Sequence, residues 1–173
     1  MRTTTNHEAT GAGRAGRGLG AGLRGALAAM ALLACAAGSP ATAATEPGKP
    51  LPNVIFERPG YAIRLAAQVV QAPLELQVGL MFRLFVPPGG AMLFVMPSER
   101  IQSFWMRNTL IPLDMIFVNG QGVVVGIVHD ATPLTEDPRY VRWPSRYVIE
   151  VPGGFTAYVG IRAGDRMRVE VPR

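Results

Sequence analysis

The chain has 173 residues, 49% of them hydrophobic and 17% charged, with 17 basic and 12 acidic side chains for a net charge of +5. That balance excludes a disordered chain, which is apolar-poor and charge-rich. It also excludes a polytopic helical membrane protein, because only one apolar stretch comes near spanning length.

The first segment reads as an export signal. Residues 1–24 carry Arg2, Arg14, Arg17 and Arg24 against Glu8, and residues 25–37 are an unbroken small and apolar run. Ser39-Pro40 ends the run, and Ala41-Thr42-Ala43 follows. A basic region, a short apolar core, a helix breaker and a small-x-small site make a secretory signal. The core falls short of the roughly 20 residues a bilayer needs. We expect residues 1–43 to be the signal, cleaved after Ala43. A second route stays open, since Leu32-Leu33-Ala34-Cys35 resembles a bacterial lipoprotein box with Cys35 as the lipidated residue. The expected location is periplasmic or extracellular, with a lipid tether on the second route. Membrane contact is expected only through the signal or that tether. Four arginines and one glutamate leave with the signal, so 13 basic and 11 acidic side chains remain, a net +2. No basic stripe with interleaved aromatics survives, and no nucleic-acid partner is expected. The single cysteine, Cys35, precedes the body, which excludes a disulfide framework or a multi-cysteine zinc module there.

Residues 44–53 hold three prolines and little that packs, as a linker does. Residues 54–173 form the expected single β domain. Turn signals divide it: Pro59-Gly60, Pro87-Pro88-Gly89-Gly90, Asn119-Gly120 and Pro152-Gly153. Between them lie short runs rich in Val, Ile, Phe and Tyr at 61–70, 91–96, 101–107, 113–118, 123–129, 146–151 and 166–171, which read as strands. Residues 73–83 read as one short helix, with Pro73 at its first position and Leu74, Val78 and Met81 at helical spacing. It is expected over an open end of the sheet. Asn119-Gly120 predicts a tight hairpin joining 113–118 to 123–129. Within 113–118 both faces are apolar except at Asp114, which predicts a central strand buried on both sides. The expected class is mainly β: a compact antiparallel sandwich or jelly-roll-like fold, or a partly closed barrel, with one short helix.

Five blocks carry a resemblance. They are Gly79-Leu80-Met81-Phe82-Arg83, Met92-Leu93-Phe94-Val95, Phe104-Trp105-Met106-Arg107-Asn108-Thr109 with Ile111-Pro112-Leu113-Asp114-Met115-Ile116-Phe117, Arg146-Tyr147-Val148-Ile149-Glu150, and Gly160-Ile161-Arg162-Ala163-Gly164-Asp165. In this order they closely resemble domain-of-unknown-function family 192, a prokaryotic family often carrying an export signal. The resemblance covers roughly residues 63–171. It implies a compact, mainly β fold and no established activity. Ala91, Ala72 and Val78 stand where the family often has Gly, Thr or Asp, and a basic residue.

The sharpest candidate site is 104–114. In an extended run, Ser103, Trp105 and Arg107 share one face and Phe104 and Met106 the other. The functional reading is a pocket floored by Trp105, with Arg107, Asn108, Thr109 and Asp114 around it, suited to a small anionic or sugar-like ligand. The structural reading makes Asn108 and Thr109 turn residues, Asp114 their partner and Trp105 core. Arg83 is a candidate partner for Asp114. Glu150 is a candidate second carboxylate, and with Asp114 it would make a general acid/base pair if the two met. Asp165 reads as a turn cap. His129 with Asp130 offers too few converging donors for zinc. Met81, Met92, Met96, Met106 and Met115 read as core packing, since their neighbours are Phe, Leu and Val. No metal and no cofactor are expected. No nucleophile elbow or phosphate loop is present in the sequence. The expected function is a non-catalytic binding module of the cell envelope. The alternatives are a glycan- or metabolite-acting hydrolase or transferase using Asp114 and Glu150, and a structural partner of an envelope protein.

Overall fold

A computed structural model describes residues 50–172. The expected signal, with Ala43 and Cys35, and the linker up to residue 49 lie outside the described residues. Nine strands and two short helices follow in the order β1 (Asn53–Arg58), β2 (Tyr61–Val70), α1 (Pro73–Val78), β3 (Gly90–Arg100), β4 (Ser103–Phe104), β5 (Leu113–Val118), β6 (Val124–Ala131), β7 (Arg139–Tyr140), β8 (Ser145–Pro152), α2 (Phe155–Val159) and β9 (Arg166–Glu170).

Seven strands form one sheet in the order β6-β5-β8-β3-β2-β1-β9. The sheet curls until its two end strands touch. Val123 bridges Arg166, the Val124 amide donates to the Asp165 carbonyl at 2.9 Å, and the Met167 amide donates to the Gly122 carbonyl at 2.7 Å. The result is the expected mainly β fold in its partly closed barrel form. Pairing departs from the expectation in one place: β2 and β3 run parallel. Parallel neighbours need a crossover connection, and residues 71–89 with α1 supply it.

The sheet buries both faces. The inner cluster joins Val54, Phe56, Leu65, Leu93, Ile116, Val118, Ile149 and Val151, with Phe155 and Val159 of α2 packed against it. The outer cluster joins Leu80, Met92, Phe94, Met106, Leu113, Met115, Phe117 and Val148 under the connecting segments. All six residues of β5 are buried, as the doubly apolar pattern predicts. The methionines at 92, 106 and 115 are core residues, as expected.

Several local expectations are corrected. The predicted helix 73–83 stops at Val78, because Gly79 leaves helical geometry at φ +49°. Leu74 and Val78 face solvent, and Leu76 packs on the outer cluster instead. So α1 lies against the outer face of the sheet and not over its end. Glu75 accepts from the Ala72 and Gln71 amides and supplies the cap that Ala72 lacks. The predicted strand 101–107 shrinks to β4, a two-residue strand paired with β7. The hairpin after β5 is wider than a two-residue turn: Asn119 Oδ1 accepts from the Gln121 and Val123 amides, and Gly122 takes the positive φ. Strands β1 and β7 and helix α2 were not predicted.

Candidate functional site

The alternation read from 101–107 survives although the strand does not. Ser103, Trp105 and Arg107 are exposed, Phe104 is half-buried, and Gln102 and Met106 are buried. Trp105, 41% exposed, stands in a groove of about 310 Å3 lined also by Leu76 and Gln77 of α1, Met96 of β3, Ser103 and Phe104 of β4, and Glu136 and Pro138. The Arg107 guanidinium sits over the indole, 5.8 Å from the ring centroid. Its Nε lies 3.7 Å from Glu136 Oε1. An apolar floor, an open aromatic face and a cation–carboxylate pair at the mouth are the parts of a small ligand site.

Three loops build this end of the molecule, and backbone hydrogen bonds join them. The Phe82 amide donates to the Asn108 carbonyl at 2.9 Å, the Leu134 amide to the Thr109 carbonyl at 3.1 Å, and the Met106 amide to the Thr135 carbonyl at 2.9 Å. Asn108 takes φ +56° and its amide reaches Met81 Sδ. Thr109 is buried, with its hydroxyl 3.5 Å from the Arg107 carbonyl. Asn108 and Thr109 therefore hold the loops together and do not face the groove. Phe82 and Leu134 have positive φ, at +62° and +58°, yet are 68% and 64% exposed. Leu84 and Phe85 beside them are exposed as well.

Asp114 lies elsewhere. It faces the inner side of the sheet, fully buried, and its carboxylate is saturated. Oδ1 accepts from the Asp130 amide at 2.8 Å and the Gly154 amide at 3.0 Å. Oδ2 accepts from the Thr156 amide at 2.8 Å and the Thr156 hydroxyl at 2.6 Å. Burial raises its pKa, but the Thr156 hydroxyl and the three amides outweigh burial and hold the carboxyl below its ordinary value. His129 Nδ1 lies 3.0 Å from Thr156 Oγ1. That hydroxyl gives its proton to Asp114, so His129 donates to it. Asp114 thus anchors the start of α2 and the end of β6, and takes no part in the Trp105 groove.

Glu150 is on the opposite face. Across β5 and β8, Asp114 stands opposite Val151 and Met115 opposite Glu150. Neighbouring register positions point to opposite sides of a sheet, so the two carboxylates do not meet and form no acid/base pair. Glu150 is 4% exposed, and burial pushes its pKa up to about 8. Arg83 does not reach Asp114 either: its Nη2 donates to Gln68 Oε1 at 2.6 Å. Arg83 and Gln68 line a second groove of about 270 Å3 with Leu80, Val86 and Met92. Asp165 caps its turn through the Arg162 amide at 2.9 Å, and also pairs with Arg58 at 2.6 Å. No three His, Cys, Asp or Glu side chains converge among the described residues.

Sequence reasoning missed Leu76, Gln77, Glu136 and Pro138, which come to the groove from distant segments. It also missed Thr156.

Comparison with known proteins fits this architecture. The family model described as uncharacterised ACR, domain-of-unknown-function family 192, matches residues 54–169. The chain belongs to this family. A UPF0127 protein of Pyrococcus furiosus is 30% identical over 114 residues, 62% of this chain and 90% of its own length. A solved protein of unknown function from Novosphingobium aromaticivorans is 33% identical, with a TM-score of 0.65 over 67% of this chain and 83% of that one. A Sinorhizobium meliloti structure, named as a candidate transcription regulator, is 29% identical with a TM-score of 0.65 over 70% and 95%. These two solved structures share the half-barrel fold of this chain, and none of the three names states a reaction.

Proposed function

We propose that the protein is a non-catalytic binding module that takes a small ligand in the Trp105 groove. The observation that carries this reading is the open indole with Arg107 above it and Glu136 at the mouth. A ligand with a flat or apolar body would stack on the ring, and an anionic or sugar-like group would draw Arg107 from Glu136. The separation of Asp114 from Glu150 counts against the hydrolase or transferase alternative. The module would act outside the cytoplasm, as the basic and apolar pattern ending at Ala43 suggests. An intact mass of the exported protein tests that, and acyl chains on Cys35 would replace cleavage at Ala43. Binding is tested by ligand-induced change in Trp105 fluorescence, measured with Trp143→Phe as background. Saturable quenching by a small molecule, lost in Arg107→Ala, is expected. Absence of any response across anionic and sugar-like libraries would remove the reading.

A second reading has its own observation. Phe82 and Leu134 hold apolar side chains out to solvent at backbone angles that cost on the order of 1–3 kcal/mol each. Exposed apolar anchors fit a protein partner. A partner that co-purifies with the wild type and is lost with Phe82→Asn would favour this reading over the small ligand.

A further inference from the structure

Glu150 poses a problem that neither reading uses. It is 96% buried by its 4% exposure, on the outer face of a central strand, and no hydrogen bond or ion pair reaches its carboxyl among the described residues. A carboxyl so placed calls for a partner, and an unseen water or ion is a standard explanation. Its immediate neighbours define what that ion would be. On one side Glu150 stands in register with Met92 of β3, and on the other with Met115 of β5. Opposed residues on one face of an antiparallel pair hold their Cβ atoms about 5 Å apart. Met92 and Met115 are in the same outer cluster, 1% and 0% exposed, and Met106 lies in it too. Each methionine has three rotatable side-chain bonds and a polarizable sulfur. A row of thioether, carboxylate and thioether therefore crosses three adjacent strands. Above it lies Gly79, where even an added Cβ would come within 4.0 Å of Glu150 Oε2.

We propose that Met92, Glu150 and Met115 form a binding site for one soft monovalent metal ion, Cu(I) or Ag(I) in chemical class. Thioether sulfur selects soft ions such as Cu(I) over calcium or magnesium. One carboxylate balances one positive charge, so the bound site is neutral, as a buried site must be. The packing role of the methionines is unaffected, since the ligand atoms and the packing atoms belong to the same side chains.

The test is titration of the full chain with Ag(I). Cys35→Ser is included so that the one thiol does not compete. Native mass spectrometry gives the stoichiometry, and NMR of 13C-methyl methionine reports which sulfurs respond. We expect one Ag(I) per folded chain, with the Met92 and Met115 methyls shifting together. Met92→Leu/Met115→Leu is close to volume-conserving and should stay folded, but should weaken binding at least tenfold. Glu150→Gln should also weaken it at least tenfold. Circular dichroism of each variant separates lost binding from lost fold. The proposal is overturned if no Ag(I) binds, if the responding methyls are only those of other methionines, if the double leucine variant binds as well as wild type, or if Ag(I) binds only by unfolding the chain.

Discussion

Asp114→Asn probes the buried knot that joins β5, β6 and α2. The carboxylate accepts four hydrogen bonds, two on each oxygen. Asparagine keeps one accepting oxygen. If its amide nitrogen replaced Oδ1, the Asp130 and Gly154 amides would both face a donor, and neither can turn away. The nitrogen should therefore replace Oδ2. The Thr156 hydroxyl can then rotate to accept from it and, with His129 in its other tautomer, donate to Nδ1, but the Thr156 amide is left buried without an acceptor. Bonds to a charged group contribute about 1.5–3 kcal/mol each, and an orphaned buried donor costs about 1–3 kcal/mol. Allowing for the one neutral bond regained, we expect a loss of about 3–5 kcal/mol. In urea, with a slope of about 1–3 kcal/mol/M for small domains, the midpoint should fall by roughly 2 M at unchanged slope. The pH dependence gives a second readout. The folded pKa of Asp114 is depressed, so its stabilisation is complete above the ordinary carboxyl value of about 3.9. It is lost as pH falls from there through the depressed folded value, and Asp114→Asn should lack that part of the acid transition. A midpoint shift below about 0.5 M would refute the reasoning.

Glu150→Gln should act in the opposite pH direction. The folded pKa is raised to about 8 from 4.5, so wild-type stability should fall as pH rises between those values, by up to about 1.4 kcal/mol per pH unit. Metal-free Glu150→Gln should show a flatter profile in urea melts across pH 5–9, and parallel profiles would sink the assignment. Gly79→Ala should lower stability by about 2 kcal/mol or more, because φ +49° suits few side chains and the new methyl would meet Phe94 Cζ at 3.0 Å; an unchanged thermal midpoint would contradict this. Phe82→Asn should hold or raise stability by about 1 kcal/mol, since asparagine tolerates φ +62° and little burial is lost; a clear loss would show that the exposed ring packs in solution. Trp105→Ala should change stability by less than about 1 kcal/mol for a half-exposed side chain away from the core while abolishing ligand binding measured by titration calorimetry; unfolding would make it a core residue.

The sequence exposed those features that depend on a strand's own alternation. Leu113, Met115 and Phe117 against Ile116 and Val118 predicted a strand buried on both sides, and β5 is one. Ser103, Trp105 and Arg107 against Phe104 and Met106 predicted one polar and one apolar face, and that holds even where the strand is two residues long. Helix α1 was harder, because six residues make under two turns. A 3.6-residue period has no room to declare itself, so Leu74 and Val78 looked inward while Leu76 does the packing. The parallel β2–β3 pair was invisible because it depends on where the crossover returns the chain, not on either strand.

The two carboxylates show where local pattern stops and pairing begins. Alternation says that Asp114 shares a side with Ile116, and that Glu150 shares one with Val148. It cannot say which side of β5 faces which side of β8. That follows from the register, in which Asp114 meets Val151 and Glu150 meets Met115. A slip of one residue would have put both carboxylates on one face, and an acid/base pair would then have been plausible. The observed register separates them, and the same physics assigns them different roles. Burial demands a partner for each charge. Asp114 finds four within the chain, at residues 130, 154 and 156, so its carboxylate is explained by the fold alone. Glu150 finds no such donors among the described residues: burial instead holds its carboxyl protonated into the neutral range, and the two thioethers in register beside it are the groups with which the proposed ion would displace that proton.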